Sequence, residues 1–279
     1  MTDAPALTGL VDAHCHLQEE VLEGLVDDVI RRGLEAGGAC FICNGTHEGD
    51  WETVLEISRR WPQVMPCLGL HPWFVRERSR DWLECLESFL NEGCRGLGEI
   101  GLDRWVRDRD EIQQEEAFRA QLDLANRLGL PVMVHCLRAW GMLLAVLEEM
   151  GPPRAGMVIH AWGGAAEMVT PLVEMGAYCS FAGSVLDPAH KRARAGLAAV
   201  PLDRLLVETD APAMLPPRPF RPAVTIGPEG EVLNEPANLP AIVFGIAELR
   251  NIPAVDLARA TTRNARRLMG DLPCLTTAS

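Results

Sequence analysis

Imidazole and carboxylate side chains recur along the sequence, each near the end of a short apolar run. They are His14, His16, His71, Glu99, Asp103, His135, His160 and Asp210. Imidazole nitrogens combined with carboxylate oxygens suit zinc, manganese, iron, nickel or cobalt, whereas magnesium prefers oxygen ligands. The residue types therefore predict a divalent-metal site and favour a transition metal.

The first pair of histidines has the spacing of a β-strand. Side chains alternate between the two faces of a strand, so His14 and His16 point to one side and Cys15 to the other. One ion could be bound by both imidazoles. Asp12 and Glu208 lie one step deeper on the same faces as His14 and Asp210, where they could orient ligands or serve a buried structural role.

The apolar runs alternate with longer segments of helical period, which is typical of βα units and a parallel sheet. Eight runs are found, at residues 9–17, 38–46, 64–73, 95–103, 130–137, 155–161, 177–182 and 204–212. Helices are predicted between them, for example over 19–36 and 109–128, and two more over 237–250 and 254–269. The titratable residues above therefore fall at the carboxyl ends of the predicted strands.

Eight consecutive βα units predict an α/β fold, a (β/α)8 TIM barrel that forms a single domain over residues 1–279. The alternative is a doubly wound open sheet, which normally carries a G-x-G-x-x-G turn after an early strand. Here the pattern occurs at residues 96–101, inside the fourth predicted strand, and no early strand is followed by such a turn. The Pro- and Gly-rich stretch 214–236 would overhang the carboxyl ends of the strands, where barrel active sites lie.

Composition excludes several classes of protein. With 48% hydrophobic and 23% charged residues in 279, the chain is neither disordered nor a disulfide scaffold. Its 26 basic and 39 acidic residues give a net charge of −13, so a nucleic-acid partner would need a local patch or bound cations. No run is long enough to span a membrane and no signal peptide is recognisable, which predicts a cytoplasmic protein without a membrane partner, taken as a monomer.

The nine cysteines are expected to be reduced thiols. The one Cys-x-x-Cys, Cys40 to Cys43, lies in a predicted strand, where a spacing of three puts the two sulfurs on opposite faces. These thiols are therefore expected to pack in the core instead of sharing a metal or a disulfide.

Six candidate ligands are more than one tetrahedral ion needs, so two divalent ions (Mg, Mn or Zn) are predicted. The assignment is His14, His16 and Asp210 on one ion, His135 and His160 on the other, and Glu99 bridging. Two such ions against two carboxylates leave about +2 in the pocket, which attracts phosphate. A pair ~3.5 to 4 Å apart activates water and stabilises both the attacking and the leaving oxygen. Asp210 is the predicted general base.

Ordered motifs along the chain resemble the TatD family of metal-dependent deoxyribonucleases, within the amidohydrolase-like superfamily. They are Val-Asp-Ala-His14-Cys-His16, Gly-Leu-His71-Pro, Gly-Glu99-Ile-Gly-Leu-Asp103, Pro-Val-Met-Val-His135, Val-Ile-His160, Glu208-Thr-Asp210-Ala-Pro and Asn234-Glu-Pro-Ala-Asn-Leu. The resemblance covers residues 11 to about 265 and implies a TIM-type barrel, a divalent-metal centre and hydrolysis, commonly of DNA phosphodiesters. It carries the ligand role onto the six residues named above. It also makes His71 a candidate phosphate contact and catalytic residue, beside Asp210 and Glu99. The alternative for His71 is a structural role as a loop cap stabilised by Pro72.

Two positions depart from the family pattern. Members commonly carry an arginine two residues after the fifth-strand histidine, where this chain has Leu137 followed by Arg138, and a basic residue where this chain has Leu233. Arg138 and Asp103 are the predicted substrate contacts beside His71. Arginines after the third and fourth strands and in 214–236 could form a phosphate funnel or pair with surface acids, and Trp73, Trp105, Trp140 and Trp162 could stack on bases or simply pack.

The leading hypothesis is a metal-dependent deoxyribonuclease that acts on DNA ends or single strands. The alternative keeps the metals and changes the substrate to a small ester, amide or phosphate compound, which the departures at Leu137 and Leu233 and the acidic balance favour. A non-catalytic metal-binding protein is a third hypothesis, which the complete ligand set with a base argues against.

Overall fold

The computed structural model describes residues 7–270 and 272. Eight parallel strands follow one another in chain order, each hydrogen-bonded to the next. They are β1 (Leu10–Cys15), β2 (Gly38–Asn44), β3 (Val64–Leu68), β4 (Gly96–Asp103), β5 (Val132–Leu137), β6 (Met157–Ile159), β7 (Ala177–Phe181) and β8 (Leu205–Val207). This order is the one that consecutive βα units impose on a barrel.

The α-helices alternate with the strands and surround them. They are α1 (Val26–Glu35), α2 (Trp51–Arg60), α3 (Trp82–Leu90), α4 (Glu111–Leu128), α5 (Trp140–Met150), α6 (Val169–Glu174), α7 (Lys191–Ala199), α8 (Leu239–Arg250) and α9 (Ala254–Met269). No helix in the described part of the chain has the length and apolarity needed to cross a bilayer.

The barrel closes where β8 meets β1, beside the predicted ligands. The Asp210 N–H donates to the His14 carbonyl at 3.0 Å and the His16 N–H donates to the Ala211 carbonyl at 2.7 Å. Below them the buried Asp12 carboxylate accepts from Thr209 N–H at 2.8 Å and from the Thr209 hydroxyl at 2.5 Å. The prediction of a single-domain TIM barrel is confirmed, and Asp12 ties its first and last strands together.

Apolar side chains form two layers, one on each face of the barrel strands. Side chains such as Cys40, Met133 and Leu206 form the cluster inside the barrel, whereas Cys15 and Cys43 pack in the layer between the sheet and the helices. Cys40 and Cys43 thus lie on opposite faces of β2, as their spacing predicted. Cys15 likewise points away from the side on which His14 lies.

Several elements are shorter than the sequence pattern suggested. β3 ends at Leu68 and β8 at Val207, so His71 and Asp210 lie on loops beyond the strands. The helix predicted over 19–36 is divided into a short 3-10 turn, Glu20–Leu22, and α1, because Gly24 adopts a φ of +75°. The stretch 214–236 is not wholly irregular, since Thr225–Ile226 (β9) and Val232–Leu233 (β10) pair as an antiparallel hairpin.

Gly101 allows β4 and β5 to approach closely beside the predicted ligands. Its φ of +147° lies where side chains are strained, and an added Cβ would overlap the carbonyl oxygen of His135. Only glycine therefore fits this position without displacing the strand that carries His135.

We expect Gly101→Ala to lower the free energy of unfolding by ~3 kcal/mol or more, because strain and overlap add. Gly129→Ala is the matched control: Gly129 also has a positive φ, +67°, but open space around the added Cβ, so its cost is about 1 kcal/mol. Urea unfolding of both variants measures the difference. Equal losses would show that the close approach at Gly101 imposes no constraint.

Candidate metal centre

All the predicted site residues gather at the carboxyl ends of the strands. His14 lies on β1 and His16 just after it, Glu99 and Asp103 on β4, His135 on β5, and His160 one residue past β6, while His71 and Asp210 are on loops. Most of them line a cavity of about 480 Å³, together with Trp73, Leu137 and Met214. The sequence prediction therefore placed these side chains at the correct edge of the sheet.

The Glu99 carboxylate occupies the middle of this group. Its Oε2 lies 3.2 Å from the Nε2 atoms of both His14 and His16. Its Oε1 lies 2.8 Å from His160 Nε2, 3.0 Å from His135 Nδ1 and 3.3 Å from His71 Nε2. Each oxygen faces a different set of imidazoles, which is the geometry of a bridging carboxylate between two ligand groups.

Within each ligand group, the imidazole nitrogens approach one another closely. His14 Nε2 and His16 Nε2 are 3.1 Å apart, and Asp210 Oδ1 lies 3.9 and 3.6 Å from them. In the other group, His135 Nδ1 and His160 Nε2 are 3.3 Å apart. Converging lone pairs repel unless a cation lies between them, so the donor set fits a divalent metal in both groups.

Hydrogen bonds on the outer side of the rings determine which nitrogen keeps its lone pair. His16 Nδ1 lies 2.8 Å from the carbonyl oxygen of Asn44, and His135 Nε2 lies 2.9 Å from Asp103 Oδ2. Because these oxygens can only accept, the ring nitrogens facing them carry the protons. The opposite nitrogens, which face Glu99, are then free to bind a metal.

Asn44 also contacts His14, and sequence reasoning missed it. Its side-chain amide lies 3.2 Å from His14 Nδ1, and its Oδ1 has no partner among the described residues. The same Nδ2 donates to the carbonyl oxygen of Ile42 at 3.1 Å, which holds the amide with Nδ2 toward His14. The signal was a polar residue at the carboxyl end of β2, the same position that marked the other site residues.

His71 has the opposite proton arrangement. The backbone N–H of Trp73 donates to His71 Nδ1 at 3.2 Å, so the neutral ring carries its proton on Nε2, toward Glu99. Burial lowers the pKa of His71 to about 4, which keeps the ring neutral near pH 7. His71 therefore presents a hydrogen-bond donor to the site, whereas His16 and His135 can present lone pairs.

Burial and the crowding of charged groups shift the acid–base equilibria of the site. Burial lowers the pKa of His14 to about 4 and raises the pKa of Asp210 to about 6. Burial alone would raise the pKa of Glu99, but the neighbouring imidazoles, His160 above all, hold it well below its usual range. Glu99 is therefore an ionised carboxylate in a buried place.

Glu208 supports the second ligand group from beneath. Its Oε1 accepts from the Ala161 N–H at 2.6 Å and lies 3.8 Å from His160 Nδ1, while the Ser180 hydroxyl donates to Oε2. At 3.8 Å the contact with His160 is electrostatic and too long for a hydrogen bond. The carboxylate orients the loop that carries His160, which is one of the two roles predicted for it.

The predicted substrate residues fall in different environments. Asp103 is fully buried and its oxygens accept from Trp73 Nε1 and the Trp105 N–H as well as from His135, so it lies behind the ligands. Arg138 is exposed at the rim, where its guanidinium lies over the Trp105 ring. Leu137 lines the cavity and Leu233 is buried in β10.

Several rim arginines are paired with nearby side chains. Arg104 and Arg109 both bind the Glu111 carboxylate, and Arg78 donates to Gln113. Among the four tryptophans, Trp162 is buried and packs against Trp140, with ring centroids 4.8 Å apart, whereas Trp73 and Trp105 are exposed. The packing interpretation thus holds for two tryptophans.

An eight-stranded parallel barrel with histidines and carboxylates at the carboxyl ends of its strands defines the class of metal-dependent hydrolases. The chain belongs to the TatD related DNase family, whose model matches residues 11–270. The resemblance drawn from the sequence motifs is thereby confirmed.

Relatives match nearly end to end. The 3'-5' ssDNA/RNA exonuclease TatD of Erwinia tasmaniensis is 34% identical over 245 residues, covering 87% of this chain and 92% of that protein. The metal-dependent hydrolase YabD of Bacillus subtilis is 30% identical over 263 residues, covering 93% and 98%. The crystal structure of YjjV, a TatD homologue from Escherichia coli, superposes with a TM-score of 0.84 at 28% identity, covering 94% and 98%.

We expect Asp103→Asn to weaken metal binding about 10- to 100-fold. The NH2 group of the asparagine cannot accept a hydrogen bond, so either the ring N–H groups of His135 and Trp73 or the backbone N–H of Trp105 would lose their acceptor. Isothermal titration with Mn²⁺ or Zn²⁺ measures this loss. Asp110→Asn is the matched control, since Asp110 caps α4 by accepting from Gln113 N–H and lies outside the ligand groups. Equal affinities in the two variants would contradict a role for Asp103 in orienting His135.

Proposed function

We propose that this single-barrel protein is a metal-dependent deoxyribonuclease that removes nucleotides from the 3′ ends of single-stranded DNA. The observation that carries the proposal is the Glu99 carboxylate, each of whose oxygens faces a separate group of imidazoles. Family membership and the printed activity of the Erwinia relative support the substrate and the polarity.

Two divalent ions (Mg²⁺, Mn²⁺ or Zn²⁺) are assigned to the two groups. His14, His16 and Asp210 would hold one, His135 and His160 the other, and Glu99 would bridge them. Such a pair, when bound, activates water at neutral pH and stabilises the oxygens of a phosphodiester displacement. All these ligands come from one chain, so the proposal needs no second copy.

His71 would bind the phosphate and Asp210 would accept the proton. The neutral His71 ring directs its Nε2–H into the site, where it can donate to a non-bridging phosphate oxygen. Asp210 faces the cavity on the other side, and its buried carboxylate, with a pKa of about 6, accepts a proton at neutral pH. These roles place a donor and an acceptor on opposite sides of the Glu99 carboxylate.

The shape and charge of the site favour a flexible chain end. The cavity of about 480 Å³ has room for a nucleotide and is lined by the loops after β1, β2, β3, β6 and β8. The net charge of −13 opposes non-specific binding of DNA. A local cationic centre therefore has to attract the phosphate, which agrees with a strand end entering the cavity.

The alternative function, hydrolysis of a small ester, amide or phosphate compound, rests on Leu137. This residue lines the cavity at a position where TatD family members commonly carry arginine. An apolar wall at this position suits a substrate without a second phosphate. Arg138, the next residue, supplies a guanidinium at the rim instead.

We expect the wild type with Mn²⁺ to convert a 5′-labelled single strand into a ladder that shortens from the 3′ end. Glu99→Gln, which keeps the shape and removes the bridging charge, should lower the rate at least 100-fold, since a bridging ligand affects both ions. Denaturing electrophoresis of the products, with metal content measured in parallel, gives both readouts.

Glu111→Gln is the control, because Glu111 pairs with Arg104 and Arg109 on the surface and is outside the ligand groups. A terminal 3′-phosphorothioate linkage should block the ladder. No cleavage of any strand by a protein that holds two metal ions would contradict the nuclease proposal and favour a small ester, amide or phosphate substrate.

A further inference from the structure

Two tryptophans expose their rings at the rim of the cavity. Trp73 is 52% exposed and Trp105 57% exposed, although large aromatic side chains are usually well buried. The Trp73 ring centroid lies 5.1 Å from that of His71 and 6.4 Å from that of His135. One exposed indole therefore stands directly beside the proposed reaction site.

Both tryptophans are held by the carboxylate that also holds a candidate metal ligand. Trp73 Nε1–H donates to Asp103 Oδ2 at 2.7 Å, and the Trp105 backbone N–H donates to Asp103 Oδ1 at 2.5 Å. Asp103 Oδ2 also contacts His135 Nε2 at 2.9 Å. These hydrogen bonds fix the Trp73 ring and the Trp105 backbone relative to the metal centre while about half of each tryptophan stays exposed.

Arg138 adds a positive charge to the outer tryptophan. Its guanidinium carbon lies 4.1 Å from the centroid of the Trp105 ring. Within residues 7–270 and 272, no carboxylate pairs with it at 4.0 Å or less, in contrast to Arg104 and Arg109, which share Glu111. Its φ of +59° is costly for a side chain of this size, so the surroundings hold it there.

We propose that Trp73 and the Trp105–Arg138 pair bind the nucleotides that precede the cleaved one in a single strand. The two indoles stack on successive bases, and the Arg138 guanidinium pairs with a phosphate between them. This inference rests on the proposed nuclease function and names the residues that would select a single strand. Exposed indoles combined with a guanidinium that has no carboxylate partner among the described residues match the alternating bases and phosphates of nucleic acid.

The arrangement explains a preference for single strands over duplexes. Bases in a duplex are already stacked on one another, so only an unpaired strand can place its bases on the indoles. Stacking is tolerant of sequence, which suits an enzyme that removes one nucleotide after another. Arg138 also replaces the charge that Leu137 lacks, since it follows Leu137 directly and stands at the same rim.

Fluorescence anisotropy of a 5′-labelled oligodeoxythymidylate with a 3′-phosphorothioate end measures binding apart from cleavage. We expect Trp105→Ala and Trp73→Ala each to weaken binding about tenfold. Trp73→Phe, which keeps a ring, should lose less than Trp73→Ala. Arg138→Ala should reduce the slope of log affinity against log salt by about 0.7, as for one lost phosphate contact on a single strand.

Matched controls are Leu249→Ala and Arg259→Ala, exposed residues on α8 and α9 away from the rim. The Trp105→Ala/Arg138→Ala double variant should lose less than the sum of the single losses, because the two side chains act as a unit. Circular dichroism spectra that match the wild type show that each variant is folded. Losses below twofold in both tryptophan variants, or equal losses for a blunt duplex, would overturn the inference.

The two proposals fail in different ways. Hydrolysis of bis(p-nitrophenyl) phosphate by the wild type with Mn²⁺ reports on the metal centre alone, and its absence would count against the nuclease function. If the wild type hydrolyses this compound while the rim variants bind DNA as well as the wild type does, only the rim inference is lost. If both hold, the ratio of kcat/KM for the oligonucleotide to that for the small diester falls about tenfold in Trp105→Ala.

Discussion

A buried carboxylate surrounded by imidazoles is the constraint on which the rest of this structure depends. Glu99 lies within 3.3 Å of nitrogen atoms from five histidines, and its neighbours keep its pKa well below the usual range. A buried carboxylate is costly unless it is compensated by positive charge or hydrogen bonds. Without a metal, protons on the imidazoles compensate the carboxylate, since Glu99 and the other nearby carboxylates outweigh burial and raise the pKa values of His16, His135 and His160. A divalent cation bound among the same nitrogens would supply that positive charge in place of the protons, so the arrangement suits a cation-binding centre.

The scaffold meets this constraint by fixing each ring from outside. Asn44 and Asp103 direct the protons of His16 and His135 away from Glu99. Trp73 directs the proton of His71 toward it. One outer hydrogen bond thus decides whether a histidine can act as a metal ligand or as a hydrogen-bond donor. Residue type alone does not reveal which role each histidine has.

Periodicity and residue type were sufficient to predict the barrel and the edge at which the site lies. Short buried strands such as β6 and β8 still gave βα signals because glycine and proline marked their ends, and the period-two spacing placed His14 and His16 on one face. The split of the 19–36 helix at Gly24 and the β9–β10 hairpin were missed. A single glycine does not interrupt an apolar stripe in the sequence, and strands of two residues are too short to show an alternating pattern.

Contacts across the barrel were beyond sequence reasoning. Asp103 was predicted to touch substrate, and nothing in the sequence indicated that its carboxylate also contacts His135 on the neighbouring strand. Asn44 carries no motif of its own, and its role depends on β2 lying beside β1. Likewise, only the structure shows that Trp73 and Trp105 are exposed whereas Trp140 and Trp162 pack together.

The measurement that tests the central claim most directly is anomalous diffraction from crystals grown with Mn²⁺. The account predicts two anomalous peaks ~3.5 to 4 Å apart, with one Glu99 oxygen on each and with His14 and His16 on the first and His135 and His160 on the second. A single peak, or two peaks that Glu99 does not join, would contradict it.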